Sequence, residues 1–361
     1  MDPALSPTNR HAIAAEPVIQ LGHGGGGKLS QRLIQELLVP AFGPQDGLLH
    51  DAALLPPIEG QLAFTTDSYV VHPLIFPGGD IGRLAVIGSV NDLAMAGATP
   101  VALSLGLILE EGLAMAVLKT VVASIQTAAA ECGVAVVTGD TKVVERGKGD
   151  GLFINTSAVG QVAPGLTIHP RAVQKGDAVL VSGDLGRHGI AILAARGQLG
   201  FQAPLMSDLA PLLGPVQALL AAGLQLHCLR DLTRGGLASA IDEIARSAGH
   251  WIELEDGAIP VAPSVQGACD LLGFDPIALA NEGRMVVILP AGEAPAALAI
   301  LRAFEPSAAR IGTVNQPFGA VATPFGEDHR SRPRNPVSLR SALGVKRPLE
   351  VGLGELLPRI C

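Results

Sequence analysis

Aromatic side chains are scarce, with nine Phe, one Trp and one Tyr in 361 residues, so any core this chain builds is aliphatic. Charge is also sparse, at 16% of residues, and 25 Lys and Arg against 33 Asp and Glu leave a net charge of −8. This argues against a globally basic nucleic-acid binder. The four cysteines, Cys132, Cys228, Cys269 and Cys361, form no CxxC pair and lie far apart. A disulfide scaffold is not expected at this length, and a reducing compartment, the cytoplasm, is the simpler setting. No HxxxH or HExxH spacing occurs among the nine histidines, which leaves no zinc signature. No GxSxG elbow is present. The opening MDPALSPTNRHAIAAEP lacks the apolar segment of a signal peptide. The longest uncharged stretch, Leu209 to Leu229, is broken by Pro211, Pro215, Gln217 and Gln225, so no membrane span is expected.

What is abundant is aliphatic residue and turn residue. Hydrophobic residues make up 48% of the chain, with 44 Gly and 27 Pro, which implies a real core interrupted by many tight turns. The length suggests two domains. Residues 1–17 read as disordered. Val18–Leu21 reads as a strand, Leu29–Leu38 as a helix, and Leu62–Val71 as a strand. Then come a helix over Ile81–Ala96, a strand over Val101–Leu109, a helix over Leu113–Glu131, and strands over Val134–Thr138 and Leu152–Val162. A Pro-bearing stretch, Ala163 to Gly176, marks the expected boundary between a first domain, 18–162, and a second, 163–328. The second half again mixes strands (Ala178–Val181, Trp251–Leu254, Met285–Leu289, Arg310–Val314) with helices (His188–Ala195, Val216–Ala222, Gly236–Ala248, Ala294–Phe304). The fold class is mixed α/β (α+β). The segment His329–Arg347 holds six basic residues and no acidic one. It reads as a solvated linker before a tail that ends at Cys361, with docking on an acidic partner as the alternative.

Four elements carry chemistry. Gly22-His23-Gly24-Gly25-Gly26-Gly27-Lys28 stands between strand and helix, where exposed backbone N–H groups suit phosphate. Leu29 replaces the Ser or Thr of a Walker motif; a GxGxxG pattern fits Gly22, Gly24 and Gly27; a plain surface loop fits equally. Asp51, Asp67, Asp92 and Asp140 stand among small residues. Each alone suits a cap or turn, but four in a chain of low charge favour a metal–phosphate site. Arg230-Asp231-Leu232-Thr233-Arg234-Gly235-Gly236 and Ala280-Asn281-Glu282-Gly283-Arg284 place polar residues beside glycines, which suits a ligand wall or ordinary caps. Cys361, the last residue, sits too late for a CaaX lipid signal and is the least constrained thiol.

Taken together, GHGGGGK, TTDSYVVHPLIFPGGDIGRLAVIGSVNDLAMAGATP, VTGDTKVVERGKGDGLFINTS, RDLTRGGLA, ANEGRMV and the terminal PRIC resemble the hydrogenase-maturation carbamoyl dehydratases, the HypE family of the PurM-like (AIR synthetase-like) superfamily. The resemblance runs from about Ile19 to Cys361, and the long central motif and PRIC are its most specific parts. Departures are Gly25 in place of a small polar residue, Leu232 in place of Pro, and His50 before Asp51. The resemblance implies a two-domain PurM-like fold with a flexible C-terminal tail and a homodimer built through the N-terminal halves. It implies ATP and Mg²⁺, with ATP held by Gly24, Gly25, Gly26, Gly27, Lys28, Asn91, Thr141, Asp231, Thr233 and Arg234, and the metal held by Asp51, Asp67, Asp92 and Asp140. Cys361 would receive a carbamoyl group from the carbamoyltransferase HypF and pass cyanide to HypC–HypD, with no nucleic-acid or membrane partner. Glu282 is implied as the base and Lys142 as the polarising group. Two other readings stay open: a small-molecule kinase of the same superfamily, similar to thiamine-monophosphate kinase, and a non-catalytic carrier of the group.

Overall fold

The computed structural model describes residues 18–25, 27–43, 52–197, 205–318, 322–323, 326–327, 335–352 and 357–361. The N-terminal 17 residues, Gly26 and Asp51 therefore lie outside the described part. The first half contains strand β1 (Gln61–Tyr69), helix α1 (Ile81–Met95), β2 (Ala98–Glu110), α2 (Met115–Glu131), β3 (Ala135–Val144) and β4 (Leu152–Val162). The order of this four-stranded sheet is β1-β4-β2-β3; β2 and β3 run parallel and the other pairs antiparallel. Helix α1 is buried on nearly every side, and Ile81, Leu84, Val86, Ile87 and Val90 are all fully buried. Such a helix belongs in the middle of a fold, not on its surface. It packs on β1, β4 and α2 and reaches elements of the second half. Asp80 starts it as an N-cap, accepting hydrogen bonds from the backbone N–H of Gly82 (2.7 Å) and Arg83 (3.1 Å). Gly97, with φ of 69°, turns the chain out of it.

The second half contains β5 (Asp177–Val181), α3 (Arg187–Ala195), α4 (Leu213–Ala221), β6 (Cys228–Asp231), α5 (Gly236–Ala248), β7 (His250–Glu255), α6 (Pro263–Leu272), β8 (Met285–Pro290), α7 (Ala294–Phe304), β9 (Ala309–Pro317), β10 (Val337–Arg340) and β11 (Lys346–Pro348). Its seven-stranded sheet has the order β11-β10-β7-β9-β5-β8-β6. Central strands β5 and β8 are buried on both faces, which explains their unbroken Ala-Val-Leu-Val and Met-Val-Val-Ile-Leu runs. Leu237, Ile241 and Ile244 of α5 cover one face, and Val216 and Leu219 of α4 with Ala297 and Leu301 of α7 cover the other. The first-half core is not closed on itself. Ile190, Leu209, Val265 and Leu279, and Leu357 and Ile360 from the chain's end, join it.

Three expectations need correction. Strand β3 runs on to Val144 instead of stopping at Thr138, so Asp140 and Lys142 stand mid-strand. Gly139 breaks the apolar pattern without breaking the pairing, because β2 lies alongside. Helix α6 and strand β6 are additional elements. The basic segment is no free linker over its described part. Strand β10 pairs parallel with β7 and antiparallel with β11, and Val337 and Leu339 are buried. Arg340 pairs with Glu253 and Glu255, Lys346 with Glu253, and Arg347 with Asp256. The charge run is thus an edge hairpin matched to an acidic strand. Replacing the cap in Asp80→Ala should lower unfolding free energy by about 1–2 kcal/mol, with Asp80→Asn close to wild type; urea denaturation followed by circular dichroism checks this.

Candidate active site

Strand β1 is an edge strand, and a cavity of about 510 Å³ wraps around it. Asp67 and Tyr69 from β1, Asp92 from α1, Asp231 at the end of β6, Thr233 and Arg234 from the segment after it, Glu282 from the loop before β8, and Cys361 all line it. Asp67 and Tyr69 share a face of β1 by strand alternation, and the Tyr69 hydroxyl donates to Asp67 Oδ2 at 3.1 Å. Tyr69 lies so close to α1 that a Cβ on Gly88 would sit 2.3 Å from its hydroxyl oxygen. Gly88 is therefore what lets the tyrosine reach the carboxylate. Thr65 donates to Asp92 Oδ2 at 2.6 Å.

The carboxyls repel one another in a partly buried site. Burial pushes Asp92 up to about 7, with the charges of Asp231 and Asp67 adding to it and the Thr65 hydrogen bond opposing it. Burial pushes Asp231 up to about 6, with the Arg230 cation pulling the other way and Asp67 adding. Glu282 is lifted well above the usual carboxylate range, first by burial and then by Asp208, Asp231, Asp67 and Asp92. Its Oε1 is buried and has no hydrogen-bond partner. The backbone around it is rigid: Asp208 Oδ2 accepts from the N–H of both Glu282 (3.1 Å) and Gly283 (3.0 Å). The neighbouring residues of the same motif serve the scaffold. Asn281 accepts from Gly186 N–H at 2.7 Å, and buried Arg284 pairs with Asp184 (2.8 Å) and Glu305 (3.0 Å).

Cys361 arrives at this cavity by an ordered route. Its terminal oxygen accepts from Val70 N–H at 3.0 Å, and the Arg359 carbonyl accepts from His72 N–H at 3.3 Å. The end of the chain thus pairs beside the continuation of β1. Ile360 and Leu357 are buried in the core. The thiols of Cys132, Cys228 and Cys269 are buried packing groups, pushed up by that burial to about 11, 12 and 11.

The remaining residues expected at the site stand elsewhere in the chain. Asn91 is buried; its amide donates to Ala210 O (3.2 Å) and Glu282 O (3.4 Å) and accepts from Leu212 N–H (2.7 Å), so it ties α1 to the second half. Asp140 and Lys142 form an exposed ion pair of 3.0 Å on β3, at the opposite sheet edge from Asp67. The register runs Ser68, Asn155, Gly106, Asp140 across the sheet, and three strand spacings make this about 14 Å. Asp140 therefore does not converge with Asp67 and Asp92 in one chain, and Lys142 does not meet Glu282 and Cys361 there. Thr141 stands between Asp140 and Lys142 on β3. The glycine loop packs on that same edge; a Cβ on Gly24 would sit 2.5 Å from the Val143 nitrogen. Gly24, Gly25, Gly27 and Lys28 do not line the cavity. Among the described residues no three Asp, Glu, His or Cys side chains are close enough to hold a metal ion by themselves.

Residues 49–162 match the family model for the AIR synthase related protein N-terminal domain, and residues 174–322 match that for the C-terminal domain. The carbamoyl dehydratase HypE of Rhodobacter capsulatus is 47% identical over 350 residues, which cover 95% of this chain and 98% of the relative. The chain belongs to the HypE family. A crystal structure of the hydrogenase maturation protein HypE in complex with ATP superposes with a TM-score of 0.86 at 46% identity, covering 94% of this chain and 99% of that one. HypE in a HypE–HypF complex superposes with a TM-score of 0.74 at 40% identity, covering 89% and 99%. In this HypE-family chain, reading the residues alone missed Tyr69 and Asp208, which hold the site carboxyls, and His188, Arg196 and Asp150, which touch the tail. Tyr69 could have been found from strand alternation, which sets it on the face of Asp67; the others act on residues distant in sequence, and no local pattern marks them.

Raised carboxyl pKa values have a definite linkage sign. Asp92 and Asp231 bind protons more tightly folded than unfolded, so their contribution to stability is present at low pH and lost as pH rises through about 6 to 7. Unfolding free energy measured without nucleotide or metal should therefore fall between pH 5 and pH 8. Asp92→Asn should flatten this slope and exceed wild type at pH 8 by about 1–2 kcal/mol.

Proposed function

We propose that the chain dehydrates an S-carbamoyl group on its own Cys361 to a thiocyanate, using ATP, and that the product supplies cyanide to the iron of a [NiFe] hydrogenase. What carries this reading is that Cys361, the last residue, lines one cavity with Glu282, Asp67, Asp92, Asp231 and Arg234. The carbamoyl oxygen is a poor leaving group. Attack of that oxygen on the γ-phosphorus of ATP breaks the phosphoanhydride bond, releases ADP and, with loss of one of the two N–H protons to water, leaves an O-phosphorylated imidate on sulfur. Removal of the remaining N–H proton then pushes its electron pair into the C–N bond. The C–O bond breaks, phosphate departs, and S–C≡N remains.

Glu282 is placed to take that proton. Burial and its acidic neighbours raise its pKa, which makes its carboxylate a stronger base once ionised. Asp208 fixes the backbone from which it projects. Arg234 in the cavity wall offers positive charge to the developing phosphate. Because Lys142 stands at the other sheet edge, its polarising role is assigned only in a dimer. Mg²⁺ would neutralise the phosphates and orient the γ-group. Asp67, Asp92 and Asp231 would hold it together with phosphate oxygens and water, since mutual repulsion among them and the unpartnered Oε1 of Glu282 are what a cation relieves. Asp51 and Asp140 remain candidate ligands.

The division of the site supports a homodimer. The glycine loop, Asp140, Thr141 and Lys142 occupy one edge of the first sheet, and the thiol cavity occupies the other. The outer side of that sheet exposes Leu62, Phe64, Ile108 and Val137. A second copy packed there, turned about a two-fold axis, brings each loop edge to the other's cavity edge. We assign HypF as the carbamoyl donor, HypC–HypD as the cyanide acceptor, and the cytoplasm as the location. Four reduced thiols and the lack of any described helix long and apolar enough to cross a membrane agree with that setting.

Mass spectrometry of the C-terminal peptide tests the reaction. After incubation with the carbamoyl donor enzyme and ATP it should gain one carbamoyl group and then lose one water. Glu282→Gln should accumulate the carbamoyl form and slow the water loss by about 10²–10⁴-fold. A peptide that never loses water, or a Glu282→Gln variant with wild-type turnover, contradicts the assignment.

A further inference from the structure

The end of the chain is held mainly through its backbone carbonyls, and the groups that hold it form one device. The Arg196 guanidinium lies just past the end of α3. Its Nη2 donates to the carbonyls of Pro358 (2.8 Å) and Arg359 (2.6 Å), and its Nε donates to the His72 carbonyl at 2.9 Å. His188, in the first turn of the same helix, is fully buried and lies 2.8 Å from the Ile360 carbonyl through Nε2. A carbonyl can only accept, so Nε2 carries the proton. Nδ1 then accepts from the Ser207 hydroxyl at 2.8 Å, and Ser207 in turn accepts from Leu209 N–H at 3.1 Å. Val70 N–H takes the terminal oxygen. The carbonyls of residues 358–361 are thus each claimed by a donor outside the tail.

Side chains add register. Arg359 Nε donates to the Val70 carbonyl at 3.1 Å, and its guanidinium pairs with Asp150. Among the described residues Arg359 is the one non-glycine with positive φ, 56°. An arginine stays in that unfavourable region only where surrounding contacts outweigh the cost. Leu357 and Ile360 bury their side chains beneath it.

Taking the dehydration above as its basis, we propose that Arg196, with His188 and Asp150, is a tail latch: these are positioning residues that seat the Cys361 sulfur against Glu282. None of these hydrogen bonds involves the sulfur, so the latch is indifferent to whether sulfur carries hydrogen, carbamoyl or cyano. One docking mode therefore serves substrate and product alike. The planar guanidinium of Arg196 spans three carbonyls from two segments at once, a geometry that a lysine ammonium cannot reproduce.

The test uses the full chain. Labelling of Cys361 by N-ethylmaleimide is followed by mass spectrometry of the C-terminal peptide, in wild type, Arg196→Ala, Arg196→Lys and Asp150→Asn. Loss of charge-assisted hydrogen bonds should speed labelling of Cys361 about tenfold or more in both Arg196 variants, and also in Asp150→Asn. Cys132 and Cys269, which lie outside the cavity, should stay unlabelled. In the complete reaction kcat should fall while KM for ATP holds. Unchanged labelling of Cys361 in Arg196→Ala overturns the proposal, as does labelling that rises at all four cysteines together, which would mark a merely structural role. The labelling needs neither ATP nor a carbamoyl donor. A wild-type tail that never loses water would therefore sink the reaction without touching the latch.

Discussion

Everything in this molecule turns on where the last residue goes. A thiol on a free chain end samples a large volume, and ordering it costs conformational entropy at every residue of the tail. The fold offsets that cost with donors from both halves. Val70 and His72 come from the continuation of β1, and His188 and Arg196 come from the two ends of one helix in the second half. Leu357 and Ile360 add apolar burial in a core that both halves share. The chain end is therefore a structural member, and the sulfur is carried to the cavity by backbone geometry.

The cavity that receives it is built against its own electrostatic interest. Asp67, Asp92, Asp231 and Glu282 crowd one cavity, and burial together with their neighbours' charges lifts three of the four in pKa. Strain of this kind persists where a fold is specified elsewhere, and here it is: the capped α1, the Asn91 bridge and the Asp208 anchor keep the acidic groups in place. An arrangement that resists its own charge is one that a bound cation would relieve. The chemical purpose and the local instability thus have one origin.

Much of this was legible in the residues and some was not. The largely apolar, buried α1 and the continuous apolar runs of β5 and β8 announce themselves, because burial on nearly every side leaves few polar positions, and those of α1, such as Asn91 and Asp92, are spent on specific partners. Strand β3 was cut short at Thr138 because Gly139 and Asp140 look like a turn; only the neighbouring strand shows that they are paired. The basic run before the tail reads as solvated because its counter-charges, Glu253, Glu255 and Asp256, lie 85 to 93 residues away in sequence. For the site, Asp67, Asp92, Asp231, Thr233, Arg234, Glu282 and Cys361 do gather, whereas Asp140 and Lys142 do not join them. Residue type points to chemistry, but strand order decides which carboxylates share a cavity, and strand order is a property of long-range pairing. Asn91 illustrates the same limit: a polar residue inside a conspicuous motif is spent on a link between the two halves.

The most direct measurement is ATP turnover by a chain that lacks only Cys361, set beside its ability to bind ATP. With the carbamoyl donor present, the intact chain should release one ADP for each carbamoyl group consumed. The shortened chain should bind ATP as tightly as before and release no ADP beyond background. Equal ADP release by both chains would contradict the central claim that the terminal thiol carries the substrate into its own active site.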